Sequence, residues 1–208
     1  MKVQRLSVLL VFAAAAARAL GQGTVIYDQQ SAAEGAPGEG GGGISGSEPF
    51  GQSFTPALNS VRFIRLWLSG GAPGNGIGST VFVNLRSDSI TGPILSTTDP
   101  VFLSDGFGYD VNGYPDFVFS TPVPVTPGMT YYFEPILQSG DYMRVFGDAG
   151  YGYAGGSMFF QGTPRVQDLW FREGIIVPEP STGWLALVGA GLLAWFQRHK
   201  RRRNHSLA

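Results

Sequence analysis

The chain has no cysteine, which excludes disulfides, thiolate metal sites, iron–sulfur clusters and thiol catalysis. Its two histidines, His199 and His205, and its two lysines, Lys2 and Lys200, all fall near the ends. The middle therefore holds no imidazole and no amine. Ser-His-Asp and Cys-His triads, His-ligated zinc or iron and Schiff-base lysines are excluded there. Charge is scarce too: 14% of residues are Asp, Glu, Lys or Arg, against about 25% in a typical soluble domain. Between residues 24 and 176 no segment has the apolar period of a helix, so a helical bundle or an α/β enzyme is excluded as well.

What is present is punctuation and apolar matter. There are 31 glycines and 14 prolines, and both break regular structure at turns. A 43% hydrophobic and 13% aromatic content supplies a core and argues against intrinsic disorder. The 208 residues accommodate one ordinary domain with appendages.

Both ends read as addresses. Residues 1–5 carry Lys2 and Arg5, residues 6–17 are an apolar run, and Arg18-Ala-Leu-Gly21-Gln22 follows. That order describes a secretory signal peptide, expected at 1–21. Cleavage falls after Ala19 or Gly21, with Gly21 preferred because it places Ala19 third from the cut. At the other end, Val177-Pro-Glu-Pro-Ser181-Thr-Gly183 precedes an apolar run at 184–196, and then Gln197-Arg-His-Lys-Arg-Arg-Arg203. The run is shorter than the roughly twenty residues of a spanning helix. Thr182 and Gly183 extend it, and the basic residues snorkel to the headgroups, so a single membrane helix is expected over 182–197. Arg198, Lys200, Arg201, Arg202 and Arg203 form a basic stop that stays cytoplasmic. The body then lies outside the inner membrane.

This tail resembles the PEP-CTERM sorting signal of Gram-negative bacteria. Pro178, Glu179 and Pro180 match its proline-glutamate-proline box, residues 184–196 its short membrane segment, and residues 198–203 its basic end. The three parts occur in order over about thirty residues. The prolines hold the box extended without internal hydrogen bonds, which presents Glu179 just outside the bilayer. The resemblance implies processing near the box by a membrane enzyme of the exosortase type. Delivery to the envelope surface or the extracellular polysaccharide matrix would follow.

Processing changes the charge. Three basic residues leave with the first segment and five with the tail, so six arginines remain. Against them stand fifteen acidic residues, or fourteen without Glu179, and the body carries a net charge of −9 or −8 instead of −1. Such a body offers no basic patch for phosphates, and nucleic-acid binding is rejected.

From residue 50 to 174 the pattern is one of short strands broken by glycine and proline, with residues 22–49 read as a short strand and a glycine-rich linker. Strands are expected at 24–29, 52–55, 61–68, 80–86, 94–96, 101–103, 116–120, 130–137, 142–146, 157–161 and 169–172. Val81, Val83 and Leu85 share one face of their strand, and Tyr131 and Phe133 share a face of theirs. Pro135 suits an edge or a bulge. Residues 35–47 read as a flexible spacer. The fold class is all-β: a single jelly-roll-like β-sandwich over 50–176, followed by the sorting signal at 177–208. The stretches Gln52-Ser-Phe-Thr-Pro56, Val81-Phe-Val-Asn-Leu-Arg86, Thr126-Pro-Gly-Met-Thr-Tyr-Tyr-Phe133 and Asp168-Leu-Trp-Phe-Arg172 resemble an exported β-domain that accompanies this sorting signal. That domain brings no catalytic motif.

Only carboxylates remain for catalysis. Glu134, Asp141, Asp148 and Asp168 lie on aromatic-rich segments, but no spacing selects a pair for glycoside hydrolysis. Asp105, Asp110, Asn112 and Asp116 form the densest oxygen cluster and are the candidate ligands for a structural Ca²⁺, although Asp-Gly and Asn-Gly are ordinary turn dipeptides. Tyr142, Tyr151 and Tyr153 are the candidate ring platforms for a sugar. Trp67 and Trp170 lie inside strands and are expected in the core. The reading that results is an exported, non-enzymatic surface or matrix protein without a required cofactor, associated with extracellular polysaccharide. A carboxylate-based glycan-active enzyme and a ligand-free structural matrix protein are the alternatives.

Overall fold

The computed structural model describes residues 23–33, 38–111, 113–148, 150 and 152–177. The expected export signal at 1–21, Pro178, Glu179 and Pro180, the membrane segment, the basic residues from Arg198 to Arg203, and Asn112 and Tyr151 lie outside them. Among the described residues every regular element is a strand, and no helix is long and apolar enough to cross a membrane.

The first sheet runs β1 (Thr24–Gln30), β15 (Phe171–Val177), β4 (Ser60–Leu66), β9 (Asp116–Pro124). The second runs β13 (Thr163–Pro164), β12 (Met158–Phe160), β3 (Gly51–Phe54), β10 (Tyr131–Gly140), β6 (Ser79–Arg86), β7 (Ile94–Thr97), with β8 (Val101–Leu103) also on β6. A third, smaller sheet joins β14 (Asp168–Leu169), β11 (Met143–Asp148) and β2 (Gly38–Gly43), with β5 (Leu68–Gly70) also on β11. Pairs in the first two sheets nest inside one another along the chain. β6 with β7 is innermost, β4 with β9 encloses it, β3 with β10 encloses both, and β1 with β15 is outermost. Nested antiparallel pairs dealt alternately to two sheets make a jelly roll, which is the expected architecture.

The core lies between those two sheets. Phe54 and Phe133 from one meet Phe171 from the other at ring separations of 6.4 and 5.2 Å. Ile64, Leu66, Val81, Val83, Leu85, Phe117 and Phe119 complete a continuous buried cluster. In β4 the register slips between Val61 and Phe63. The bulge resets the alternation, so that Ile64 and Leu66 join the cluster between the sheets while Phe63 and Arg65 take the opposite face, where Phe63 is buried against Tyr27.

Three details differ from the pattern read in the sequence. The strand expected over 61–68 breaks at Trp67, where β4 ends and β5 enters the third sheet. Pro135 sits inside a central strand instead of at an edge, opposite Val83 of β6. It is tolerated there because β3 pairs with β10 only as far as Phe133, so the missing N–H lies past the end of that neighbour. The glycine run expected as a spacer is β2, with Gly43 and Gly42 opposite Arg144 and Val145. Glycine is required at Gly41: its φ is +81°, and a Cβ would stand 2.0 Å from the Val145 carbonyl oxygen. The run is thus a strand, pressed at Gly41 onto the β11 backbone and at Gly42 and Gly43 against the Phe50 and Tyr142 rings, and it leads into the buried Ile44 and Phe50.

Candidate functional site

Three loops are tied together at one end of the sandwich. Asp105 Oδ2 accepts the backbone N–H groups of Gly74 and Gly76, each at 2.8 Å, and Gly70 N–H donates to the Phe107 carbonyl at 2.7 Å. Asn75 Nδ2 donates to Asp141 Oδ2 at 2.5 Å, while Ile77 N–H donates to Asn75 Oδ1 at 2.7 Å. Ser79 Oγ donates to the Asp141 carbonyl at 2.8 Å. The N–H of Tyr142, and after it the Asn75 amide, hold the Asp141 carboxyl below its ordinary range, so it stays an acceptor. Gly108 is fixed by the closure, because at φ +72° a Cβ would lie 2.1 Å from the Leu68 carbonyl oxygen.

Exposed rings stand on this end. Tyr142 is 49% exposed, Tyr109 54% and Phe102 69%. Two of them rest on glycine. A Cβ on Gly43 would be 2.7 Å from the Tyr142 ring, and one on Gly78 would be 2.5 Å from the Phe102 ring. A ring supported from beneath by bare backbone, with its remaining surface in water and with Asn75, Asp105 and Asp141 fixed on the same loops, can stack on an apolar face and accept hydrogen bonds from hydroxyl groups.

The other candidates separate. Tyr142 is exposed as the platform reading requires, whereas Tyr153 is not available. Its hydroxyl accepts from Thr55 N–H at 3.1 Å and donates to Gln29 Oε1 at 3.2 Å. Its ring packs edge-on against Phe171 at 5.0 Å, and burial raises the phenol to about 12. The carboxylates of the calcium reading have partners in the fold, and Asn112 lies outside the described residues. Asp105 is occupied by two loop amides, and Asp116 grips Arg65 through both oxygens at 2.7 Å. Asp110 is exposed, and among the described residues no group of three or more His, Cys, Asp or Glu could hold a metal.

Of the four catalytic candidates, Glu134 is held by Arg86 Nη2 at 2.7 Å and Asp141 by Asn75. Asp148 and Asp168 face each other across β11 and β14, a pairing the sequence could not reveal because it depends on register between separate strands. Both are buried, at 5% and 2% exposure. Asp168 accepts from Gln52 Nε2 at 2.8 Å and Tyr153 N–H at 3.2 Å, and Asp148 from Gly150 N–H at 3.1 Å. Desolvation raises the Asp168 carboxyl, Gln52 and the Tyr153 N–H lower it, and Asp148 raises it again. These contacts fasten the segment around Gly150 and Tyr153 onto the third sheet. A cleft of about 350 Å³ at Ser87, Gly128, Met129, Thr130, Tyr131 and Tyr132 holds one carboxylate, Asp88, and so no acid–base pair.

Trp67 and Trp170 are buried as expected, at 8% and 0% exposure, but outside the sandwich core. Their neighbours Leu66, Leu68, Leu169 and Phe171 take the core side, and alternation sends the indoles to the other. There Trp67 stacks on Phe146 at 4.6 Å, and Tyr114 links the two indoles at 5.6 and 4.5 Å. Trp170 Nε1 donates to the Ala33 carbonyl at 3.2 Å.

The sandwich ends with β15 at Val177, and residues 177–203 match the model of the PEP-CTERM protein-sorting motif. No curated protein and no solved structure matches the chain. The match starts where the last strand stops and covers the proline-glutamate-proline box, the apolar run and the basic end. The chain carries a PEP-CTERM protein-sorting motif at residues 177–203, a motif that implies export, transient membrane anchoring and processing by an exosortase-type membrane enzyme.

Proposed function

We propose that the processed protein is a non-enzymatic component of the cell surface or extracellular matrix, whose jelly roll associates with exopolysaccharide through the loop end bearing Tyr142, Tyr109 and Phe102. The observation that carries this reading is the pair of exposed rings seated on Gly43 and Gly78 beside fixed acceptors on the same loops. Monomeric proteins leave large apolar groups clustered in water mainly where something binds. An enzyme reading would fall to Asp148 and Asp168, whose oxygens already serve backbone and Gln52 donors in a buried site.

The test is titration of the protein with the polysaccharide of its own host, alongside an assay for new reducing ends. Binding without release of ends is expected. Tyr142→Ala is expected to weaken binding about tenfold, equivalent to about 1.4 kcal/mol and within the range of one stacked aromatic, with an unchanged melting temperature. Steady release of reducing ends would contradict the non-enzymatic reading. Absence of binding would leave a structural matrix protein.

A further inference from the structure

A cleft lies at the end of the sandwich away from Tyr142. β6 and β10 run antiparallel, with Ser79 opposite Gly140 at the Tyr142 end and Arg86 opposite Tyr132 at the other. There the cleft of about 350 Å³ opens between the turn after β6 and the turn before β10, a size within the range of small-molecule sites. Both turns are fixed. Ser87 N–H donates to the Pro93 carbonyl at 3.1 Å, Gly128 N–H to the Pro56 carbonyl at 2.9 Å and Met129 N–H to the Thr126 carbonyl at 3.1 Å. The Tyr131 hydroxyl accepts the Thr126 N–H at 2.9 Å, and Tyr132 packs edge-on against Phe159 at 5.6 Å. The walls are therefore in place before any ligand arrives.

The chemistry of the cleft is one-sided. Asp88 is exposed, and the one hydrogen bond its carboxylate makes among the described residues comes from the Ser87 hydroxyl at 3.1 Å. An ionised carboxylate accepts about four such bonds, so most of its capacity is unused. Among the described residues no cation lines the cleft. Arg86, next along the chain, is turned to Glu134 and the Gly92 carbonyl. Beside Asp88 stand Tyr131, Tyr132 and Met129, the last 58% exposed. A carboxylate without a counter-charge, next to rings and a thioether, suits a cationic group attached to an apolar face. An anionic ligand would meet repulsion from Asp88 and from a body near −8. A sugar, unlike a lysine side chain, also brings hydroxyls for Ser87 and Thr130 on the same walls. We propose that this cleft is a second glycan site, which takes an amino sugar whose amine is free. The ammonium bonds to Asp88, and the apolar face of the sugar ring lies against Tyr131, Tyr132 and Met129. The proposal rests on the reading that the body associates with polysaccharide, and its second contact lets one molecule join two polysaccharide chains.

Calorimetric titration of the processed protein with a short oligomer of glucosamine, and with the N-acetylated oligomer of the same length, tests this. The glucosamine oligomer is expected to bind about tenfold more tightly, and to weaken as salt rises. Asp88→Asn removes the charge but keeps a residue that accepts the left-handed φ of +65° at this position. It is expected to weaken binding about tenfold, in the range of one charge-assisted hydrogen bond, at an unchanged melting temperature. Asp99→Asn, at an exposed acid outside the cleft, lowers the net charge equally and is expected to leave binding unchanged. Tyr142→Ala is expected to leave it unchanged as well, because that ring stands at the other end. No binding of the glucosamine oligomer, equal affinity for the two oligomers, or wild-type affinity in Asp88→Asn would overturn the proposal. If the host polysaccharide still binds through Tyr142, any of these results overturns the second site alone. Loss of glucosamine binding in Tyr142→Ala would place the oligomer at the other end and overturn it too. Binding of oligolysine without binding of the glucosamine oligomer would assign the cleft to a basic peptide and likewise overturn it.

Discussion

Glu173→Gln is expected to stabilise the protein, and more strongly at pH 8 than at pH 5. Glu173 lies on β15 opposite Ile64, a core residue of β4, so its side chain points into the sandwich. It is 0% exposed, and neither carboxyl oxygen has a hydrogen-bond partner of good geometry. Burial, and then the charge of nearby Asp28, push its carboxyl up to about 9, against the opposing pull of the Gln29 N–H. The folded protein therefore holds a proton at neutral pH that the unfolded chain releases near 4.5. Stability from this group is complete below the unfolded value and falls as pH rises toward the folded one. By pH 8 the loss is on the order of 5 kcal/mol, at about 1.4 kcal/mol for each pH unit. Glutamine keeps the shape and does not ionise, and its amide can donate to the Asp28 carboxylate. Melting curves of both proteins at pH 5 and pH 8 test this, at roughly 2–4 °C per kcal/mol for a chain of this size. Equal melting temperatures at pH 8 would mean that Glu173 reaches water or a cation in the folded state.

Glu134 shows the opposite arrangement, and its cation is the vulnerable partner. Arg86 Nε and Nη2 donate to Glu134 Oε2 at 2.9 and 2.7 Å, while Nη1 donates to the Gly92 carbonyl at 2.7 Å. The two side chains are 16% and 8% exposed, between the central strands β6 and β10. Arg86→Met is expected to cost roughly 3–5 kcal/mol, because it leaves a buried carboxylate without its counter-charge. Adding Glu134→Gln should recover much of that loss, since the orphaned charge is the source of the cost. Urea denaturation of the single and double variants separates the two contributions. A double variant no more stable than Arg86→Met would place the loss in packing of the arginine stem instead.

The strands and their order of burial were legible because they depend on local features. Alternation in β6 and the aromatic pair of β10 marked core-facing residues directly, and the turn dipeptides marked most of the breaks. The jelly roll itself was expected from the number and spacing of strands, while its nested pairing is visible only in three dimensions. The glycine run misled for a physical reason. Composition distinguishes flexible glycine from glycine required by a close approach only when the approaching backbone is known, and here that backbone is β11, about a hundred residues away. Tyr142 was legible as an exposed ring on a turn. Tyr153 was not legible as a structural residue, since its partners Thr55, Gln29 and Phe171 come from distant strands. The partners of Asp105 and Asp116 were not legible for the same reason, since the amides of Gly74 and Gly76 and the guanidinium of Arg65 come from distant loops and strands. Phe102 and the glycine seats beneath the rings were missed entirely, because they depend on which strand ends share one end of the sandwich.

Intact mass of the protein recovered from its native host, separated into inner membrane, periplasm and surface or medium, tests the central claim that this body is exported and sorted. The expected species begins near Gln22, ends within residues 178–181 and lies outside the inner membrane. A chain that keeps its tail through Ala208 and remains in the inner membrane would contradict the claim.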